Sequence, residues 1–239
     1  QPSSARPGTR GHGPPGSSTE VWPTHAEGVR FRAADERRGR ALMNGSPTIA
    51  TFVYDGDGQR VKSTLNGVTT TFVGNYYEKT GTNITKYYYA GTARVAMRNT
   101  SVKYLFGDQL GSTSVTTSSS GVIGSQERYK PFGEMYYISG TLPTRYTFTG
   151  QYSYTINTNE IGLMYYGARF YDPALGRFAS ADTIIPGAGN PMAWDRYAYT
   201  LNNPVKYTDP SGHMVACDNG DSCRRDSTPI LYKLVNDGQ

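Results

Sequence analysis

The chain of 239 residues has a formal net charge of +5, but part of that excess comes from arginines before residue 41, so no nucleic-acid partner is predicted. Its two cysteines and three histidines are too few for a disulfide framework or a four-cysteine metal site, and we predict no metal or other cofactor. No apolar run reaches the roughly 18 residues of a membrane-spanning helix. Twenty tyrosines against eight phenylalanines favour half-exposed sheets, so the predicted fold class is all-β.

Residues 1–46 form the first predicted segment. They are rich in glycine, proline, serine and arginine. Such a composition buries too little apolar surface to offset the entropy of ordering. We predict a disordered low-complexity arm and assign it no chemistry.

Residues 47–130 are predicted to form an antiparallel β-sheet. Apolar and polar residues alternate here, and Asn66-Gly67 is a strong hairpin signal between two such runs. The predicted strands lie near residues 50–55, 59–65, 68–77, 86–89, 93–97 and 102–106. The segment Asp55-Gly-Asp-Gly is interpreted as a tight turn, because the other ligands of a calcium loop are missing.

Residues 131–213 are rich in turns, above all from Tyr165 onward. Asp-Pro, Asn-Pro and Pro-Gly pairs recur every few residues, so the backbone must change direction often. A short helix is predicted at most over residues 191–198. The segment also contains four carboxylates, at Asp172, Asp182, Asp195 and Asp209. Because the strand-rich body has no histidine before His213, a serine or cysteine triad is excluded.

Several motifs occur in an order that resembles one known family. Tyr54-Asp55-x-x-Gly58 resembles the YD repeat of Rhs proteins. Five later segments follow one another in the order found in the Rhs-repeat-associated core domain and resemble it. They read YLFGDQLGSTS, RYKPFGE, YTFTGQ, GLMYYGARFYDPALGRFASAD and WDRYAYTLNNPVKYTDPSGH. The resemblance covers roughly residues 50–213 and identifies the chain as the C-terminal part of such a protein. It divides the chain into the arm, a YD-repeat-like sheet over 47–130, the core domain over 131–213 and a short variable tail over 214–239.

The resemblance also implies a fold and an activity. Family members wind their strands into a spiralling hollow shell, the core domain plugs its end, and bacterial members hold a C-terminal toxin inside. In one branch the core is an aspartyl autoprotease that cuts just after Asp-Pro-x-Gly-Leu. Carried over to this sequence, Asp209 opens that motif, Asp182 is the second carboxylate and Arg169 is the associated arginine. The bond to be cut then joins His213 and Met214.

The sequence departs from the family motif at both carboxylates. Ala181 and Thr183 replace the prolines beside Asp182, and His213 replaces the leucine before the cut. Losing a buried leucine removes about 1.5–3 kcal/mol of burial and adds a polar group that needs a partner, so reduced cleavage is expected. An aspartate pair beside an arginine suits peptide hydrolysis, but Asp182 and Asp209 could equally set local turns. Asp195 is predicted to be an ion pair or a cap rather than a catalyst.

Two functions therefore remain open from the sequence. One is a shell-closing segment of a secreted or cell-surface protein that acts once as an aspartyl autoprotease between His213 and Met214 and releases a C-terminal segment. The other is a non-cleaving structural or adhesive surface segment. In both, an upstream shell segment or a partner chain is expected to cover unpaired sheet edges. The tail is too short for a toxin domain with its own core.

Overall fold

The computed structural model of the chain describes residues 19–21, 29–33, 40–44, 48–155, 160–184 and 194–213. These ranges contain β-strands, turns and two short 3₁₀ segments, and no α-helix lies within them. The described residues also include no helix that could cross a membrane. The predicted all-β class is confirmed. Of the helix predicted over 191–198, residues 191–193 lie outside the described ranges, Trp194 is in a 3₁₀ turn, and residues 195–198 are not helical.

The larger sheet is an antiparallel meander in which each strand pairs with its neighbours in sequence. Its thirteen strands are β1 (Thr19–Val21), β2 (Val29–Ala33), β3 (Arg40–Asn44), β4 (Thr48–Tyr54), β5 (Arg60–Leu65), β6 (Val68–Val73), β7 (Tyr77–Thr80), β8 (Asn83–Ala90), β9 (Ala93–Arg98), β10 (Val102–Gly107), β11 (Thr113–Ser118), β12 (Ile123–Tyr129) and β13 (Met135–Gly140). Sequential pairing needs only short connections, which the many turn residues supply.

The predicted turns are found where the sequence has its strongest signals. Asn66 and Gly67 have φ angles of 48° and 80° and join β5 to β6, with Leu65 paired to Val68. Asp55 Oδ1 accepts hydrogen bonds from the backbone N–H groups of Asp57 and Gln59 at 3.1 and 2.8 Å. The Asp-Gly-Asp-Gly segment is therefore a tight turn, as predicted, and its first carboxylate is occupied by the backbone.

The strands β1–β3 lie in the region where the sequence predicts a disordered arm. Residues 19–21, 29–33 and 40–44 pair in antiparallel register and extend the sheet beyond β4. The alternation in VRFRA and the apolar residues in RALMN supply strand propensity that overall composition hides. For these residues the expectation of disorder is corrected. The remainder of 1–46 lies outside the described ranges.

The smaller sheet packs against one face of the meander. It consists of β14 (Tyr152–Tyr154), β15 (Leu163–Tyr165), β16 (Phe170–Asp172) and β17 (Arg177–Phe178). Aromatic pairs join the two sheets: Phe52 and Phe170 have ring centroids 4.9 Å apart, and Phe72 and Tyr152 5.4 Å apart. Such pairs add about 0.5–1.5 kcal/mol each beyond the area they bury. The main core therefore lies between the sheets.

A second aromatic cluster lies beside the smaller sheet. Its buried members are Phe148, Met164, Tyr166, Tyr171, Phe178 and Tyr199. Burial, the largest cause, raises the pKa of Tyr199 to about 12, so its hydroxyl stays protonated at neutral pH. This rigid cluster forms one wall of the site described below.

Glu127 on β12 is a buried carboxylate on the inner face of the meander. Its residue is 2% exposed. Burial raises its pKa above the ordinary value. Folding therefore favours the protonated form of Glu127. The protonated carboxyl contributes its full stabilisation below the unfolded pKa of about 4.3, and that contribution is lost as the pH rises through the folded pKa.

We expect Glu127→Gln to raise the free energy of unfolding at neutral pH by about 1 kcal/mol or more, because the buried charge is removed. Urea denaturation of both proteins at neutral pH and near pH 4 checks this, and the difference should shrink in acid. The control is Glu134→Gln, since Glu134 forms an ion pair with Lys130 and its side chain is 48% exposed. Equal stability of the Glu127 variant and the native chain at neutral pH would contradict the expectation.

Candidate functional site

Three of the residues singled out by the sequence lie together at one end of the smaller sheet. Arg169 immediately precedes β16, Asp182 follows β17, and Asp209 opens the Asp-Pro-Ser-Gly turn. The three residues are 5%, 7% and 3% exposed, respectively. The structure thus buries one cation with two carboxylates. Burial of this kind strengthens their mutual attraction and adds a desolvation penalty for each charge.

The guanidinium of Arg169 lies between the two carboxylates. Its Nη2 is 3.0 Å from Asp182 Oδ2 and 3.5 Å from Asp209 Oδ2. One nitrogen therefore faces an oxygen of each aspartate. Desolvation by burial lowers the pKa of Arg169, and the two carboxylates partly offset that effect. Arg169 remains a cation at any physiological pH.

The remaining donors of Arg169 bind backbone carbonyls. Nη1 donates to Arg196 O at 2.9 Å, and Nε donates to Gly212 O. The guanidinium also stacks on the Phe178 ring, with 3.6 Å between its central carbon and the ring centroid. Arg169 therefore links three separate segments of the chain and is held against the aromatic cluster.

Asp209 uses its two oxygens differently. Oδ1 accepts hydrogen bonds from the backbone N–H groups of Ser211, Gly212 and His213, at 3.3, 2.8 and 3.1 Å. Oδ2 faces Arg169. Asp209 thus sets the turn, as the sequence alternative proposed, and also presents an oxygen to the shared arginine. Its turn holds the backbone immediately before the predicted cut.

Asp182 also combines a turn contact with side-chain contacts. Oδ1 accepts a hydrogen bond from Ile184 N–H at 2.9 Å, an Asx turn of the kind the sequence suggested. The same oxygen is 2.7 Å from His213 Nδ1. The backbone of Asp182 pairs with Arg196: Asp182 N–H donates to Arg196 O at 2.9 Å, and Arg196 Nε donates to Asp182 O at 2.7 Å.

Sequence reasoning missed two contributors to this site. The sequence identified His213 only as the residue before the cut, and it assigned Arg196 no role. The contact between His213 and Asp182 spans 31 residues, and no local pattern could reveal it. The one local signal for Arg196 is its place beside Asp195 in the same motif.

The other two carboxylates, Asp195 and Asp172, have different roles. Asp195 forms an ion pair with Arg177 and accepts a hydrogen bond from Tyr197 N–H at 3.1 Å, so the ion pair is observed of the two predicted alternatives, an ion pair or a cap. Asp172 Oδ1 accepts hydrogen bonds from the N–H groups of Ala174 and Leu175 at 2.9 and 3.1 Å. Asp172 is thus a turn residue, which agrees with its Asp-Pro context.

Some predicted features lie outside the described residues, namely Met214, both cysteines and the tail over 214–239. Within the described ranges, no group of three or more histidine, cysteine, aspartate or glutamate side chains is arranged to hold a metal ion. The site brings together two carboxylates, an arginine, an imidazole and backbone amides.

Comparison with known proteins places this chain among toxin-related relatives. No family model matches it. It is 31% identical over 180 residues to the tRNA3(Ser)-specific nuclease WapA of Bacillus spizizenii. That match covers 70% of this chain and 8% of that protein. It is 30% identical over 142 residues to the toxin subunit YenC2 of Yersinia entomophaga, which covers 57% of the chain and 14% of that protein. These relatives are Rhs-type proteins.

The fold has a counterpart among solved structures. The TcdB2-TccC3-Cdc42 crystal structure matches with a TM-score of 0.62 at 21% identity, covering 80% of this chain and 10% of that one. At this identity the likeness concerns the fold alone. It agrees with the predicted antiparallel sheet followed by a turn-rich unit. The chain spans only about a tenth of the length of these proteins.

Proposed function

Because the chain belongs to the Rhs (YD-repeat) family, we propose that it closes the end of an Rhs-type shell and cuts its own backbone between His213 and Met214. The shell protein would be secreted or displayed at the cell surface, like a toxin-associated member of the family. The segment that begins at Met214 would be released from the shell-closing part. The roles of Arg169, Asp182 and Asp209 in this reaction form part of the proposal.

One observation carries this proposal. Two buried aspartates share one arginine, and one of them binds the backbone amides that lead directly to the bond in question. One shared arginine compensates only one negative charge, so two carboxylates at such close quarters do not both ionise easily. A pair of this kind, with one proton between its members, is suited to activate water at a peptide carbonyl.

The reaction would proceed as an ordinary peptide hydrolysis. One aspartate takes a proton from water, and the oxygen of that water forms a bond to the carbonyl carbon of His213. The other aspartate donates its proton to the carbonyl oxygen. The C–N bond then breaks as the first aspartate passes its proton to the Met214 nitrogen, which leaves as an amine. A hydroxyl of the intermediate returns its proton to the second aspartate, and His213 is left with a carboxyl group. Each step is a proton transfer or a bond exchange within the site.

Self-cleavage makes modest demands on such a site. The bond follows Asp209 by only a few residues in the same turn, so the chain holds its own substrate. Well-oriented intramolecular reactions reach effective molarities of about 10⁵–10⁸ M. One turnover therefore needs no substrate cleft, which is consistent with two carboxylates buried beneath a turn.

The proposal includes a partner for the exposed edge of the larger sheet. Within the described residues β13 pairs only with β12, and its Tyr136, Tyr137 and Ile138 are 59%, 43% and 48% exposed. An apolar edge strand of this kind invites pairing with another strand. An upstream shell segment or a partner shell chain would supply that strand, and a C-terminal cargo would follow the cut.

Mass spectrometry of the freshly produced chain tests the cleavage. We expect a fragment that begins at Met214, and we expect Asp182→Asn to slow its formation by at least about 100-fold, because an acid–base group is lost. Asp195→Asn is the matched control, since Asp195 forms an exposed ion pair away from the bond. An intact mass for the native chain under native conditions would refute the proposal.

The rival function is a scaffold that does not cleave. The observation that favours it is the number of structural contacts that the carboxylates make, because Asp209 Oδ1 and Asp182 Oδ1 both accept backbone N–H groups. In that case the buried cluster would only hold the turns together. The same mass measurement separates the two, because the scaffold stays intact in every variant.

A further inference from the structure

The side chain of His213 lies against one of the two carboxylates of the proposed site. Its Nδ1 is 2.7 Å from Asp182 Oδ1, and the side chains are 26% and 9% exposed. A carboxylate can only accept hydrogen bonds, so an ionised Asp182 requires that Nδ1 carry the hydrogen. The residue on the acyl side of the proposed cut therefore binds the site through its own side chain.

His213 is held at a second point by the other carboxylate. Its backbone N–H donates to Asp209 Oδ1 at 3.1 Å. The carbonyl carbon to be attacked belongs to His213 as well. It is therefore covalently linked to both anchored groups, the imidazole and the backbone N–H. Two contacts, one to each aspartate, restrict how His213 can rotate. Restricting the reacting group in this way is a major source of rate in intramolecular reactions.

This arrangement changes the expected effect of having histidine, instead of the leucine of the family motif, at position 213. The sequence predicts that histidine in place of leucine loses burial and adds a polar group in need of a partner. In the structure that polar group has its partner, Asp182. The loss of apolar anchoring at this position is compensated by a hydrogen bond to a group that carries charge, which is stronger than a neutral one.

We infer that His213 is a positioning residue that the substrate segment itself supplies: its Nδ1–H donates to Asp182 Oδ1 and holds the His213–Met214 bond in the site. This inference rests on the proposed function. Asp182 then also determines which residue is accepted immediately before the cut. The site prefers, at position 213, a side chain that donates a hydrogen bond to Asp182.

Two substitutions at this position test the inference in the full chain. Denatured protein is diluted into native buffer, and the initial rate of fragment formation is measured by mass spectrometry. His213→Asn keeps a donor near the position of Nδ1 and should cleave near the native rate. His213→Leu lacks the donor and should cleave at least about tenfold more slowly. If the leucine variant matches the native rate while Asp182→Asn is inactive, the inference fails and the proposed function stands.

A second measurement does not depend on cleavage. Nitrogen-15 NMR of the imidazole is recorded in an Asp209→Asn background, and the His213 signals are assigned by their loss in His213→Asn. We expect the hydrogen on Nδ1 and a change in these signals when Asp182 is replaced by asparagine. A neutral imidazole without a hydrogen on Nδ1, insensitive to Asp182→Asn, would overturn the inference. A native chain that stays intact would instead overturn the proposed function.

Discussion

Arg169→Met is expected to lower the free energy of unfolding by about 3–5 kcal/mol, the cost of breaking a buried ion pair from one side. Methionine fills much of the same volume, but Asp182 and Asp209 would lose the cation they share at 3.0 and 3.5 Å. The carbonyls of Arg196 and Gly212 would also lose a donor. We therefore expect the largest destabilisation among single substitutions in this site.

Arg177→Met is the matched control for this prediction. Arg177 also forms an ion pair with an aspartate in the same region, but the side chains of Arg177 and Asp195 are 52% and 38% exposed. Exposed pairs of this kind contribute about 0–1 kcal/mol. Urea denaturation of both variants, with the covalent state of each sample checked by mass, gives the comparison. Similar losses in the two variants would show that Arg169 does not compensate buried charge.

Gly212→Ala is expected to lower the free energy of unfolding by about 2–5 kcal/mol and to disturb the turn before the cut. Gly212 has a φ of 78°, where a side chain is strained. A Cβ there would also lie 2.6 Å from Tyr166 O and 3.1 Å from Arg169 N. These neighbours are backbone atoms and cannot move aside alone, so the Asp209 turn would be displaced from Arg169.

Gly58→Ala separates the two causes. Gly58 has almost the same φ, 77°, but a Cβ there would meet nothing within 4 Å. We expect this variant to lose only the conformational part, about 1–2 kcal/mol. Equal losses in the two variants would show that the close approach of Gly212 to Tyr166 and Arg169 contributes nothing. Under the proposed function, only the Gly212 variant should also slow formation of the fragment.

Local signals predicted much of the fold because they act over a few residues. The Asn66-Gly67 hairpin and the Asp55 turn follow from backbone preferences that neighbouring residues determine. The strands β1–β3 were missed because the composition of 1–46 as a whole outweighed short alternating runs within it. A strand of three to five residues is stabilised mainly by its partner strands, so its own sequence carries little signal.

In the candidate site, the difference between what local sequence specifies and what only the tertiary fold specifies is larger. The sequence by itself determined the residue types and the turns: an Asp-Pro-Ser-Gly segment that caps itself through Asp209, and an Asx turn at Asp182. Only the tertiary structure decided that Arg169 reaches Asp209 across 40 residues and that His213 reaches Asp182 across 31. Contacts at such separations depend on how the small sheet and its turns pack on the aromatic cluster. No local preference specifies that packing. The family resemblance associated Arg169 with the two aspartates, but only the folded chain shows their contacts and the anchored histidine.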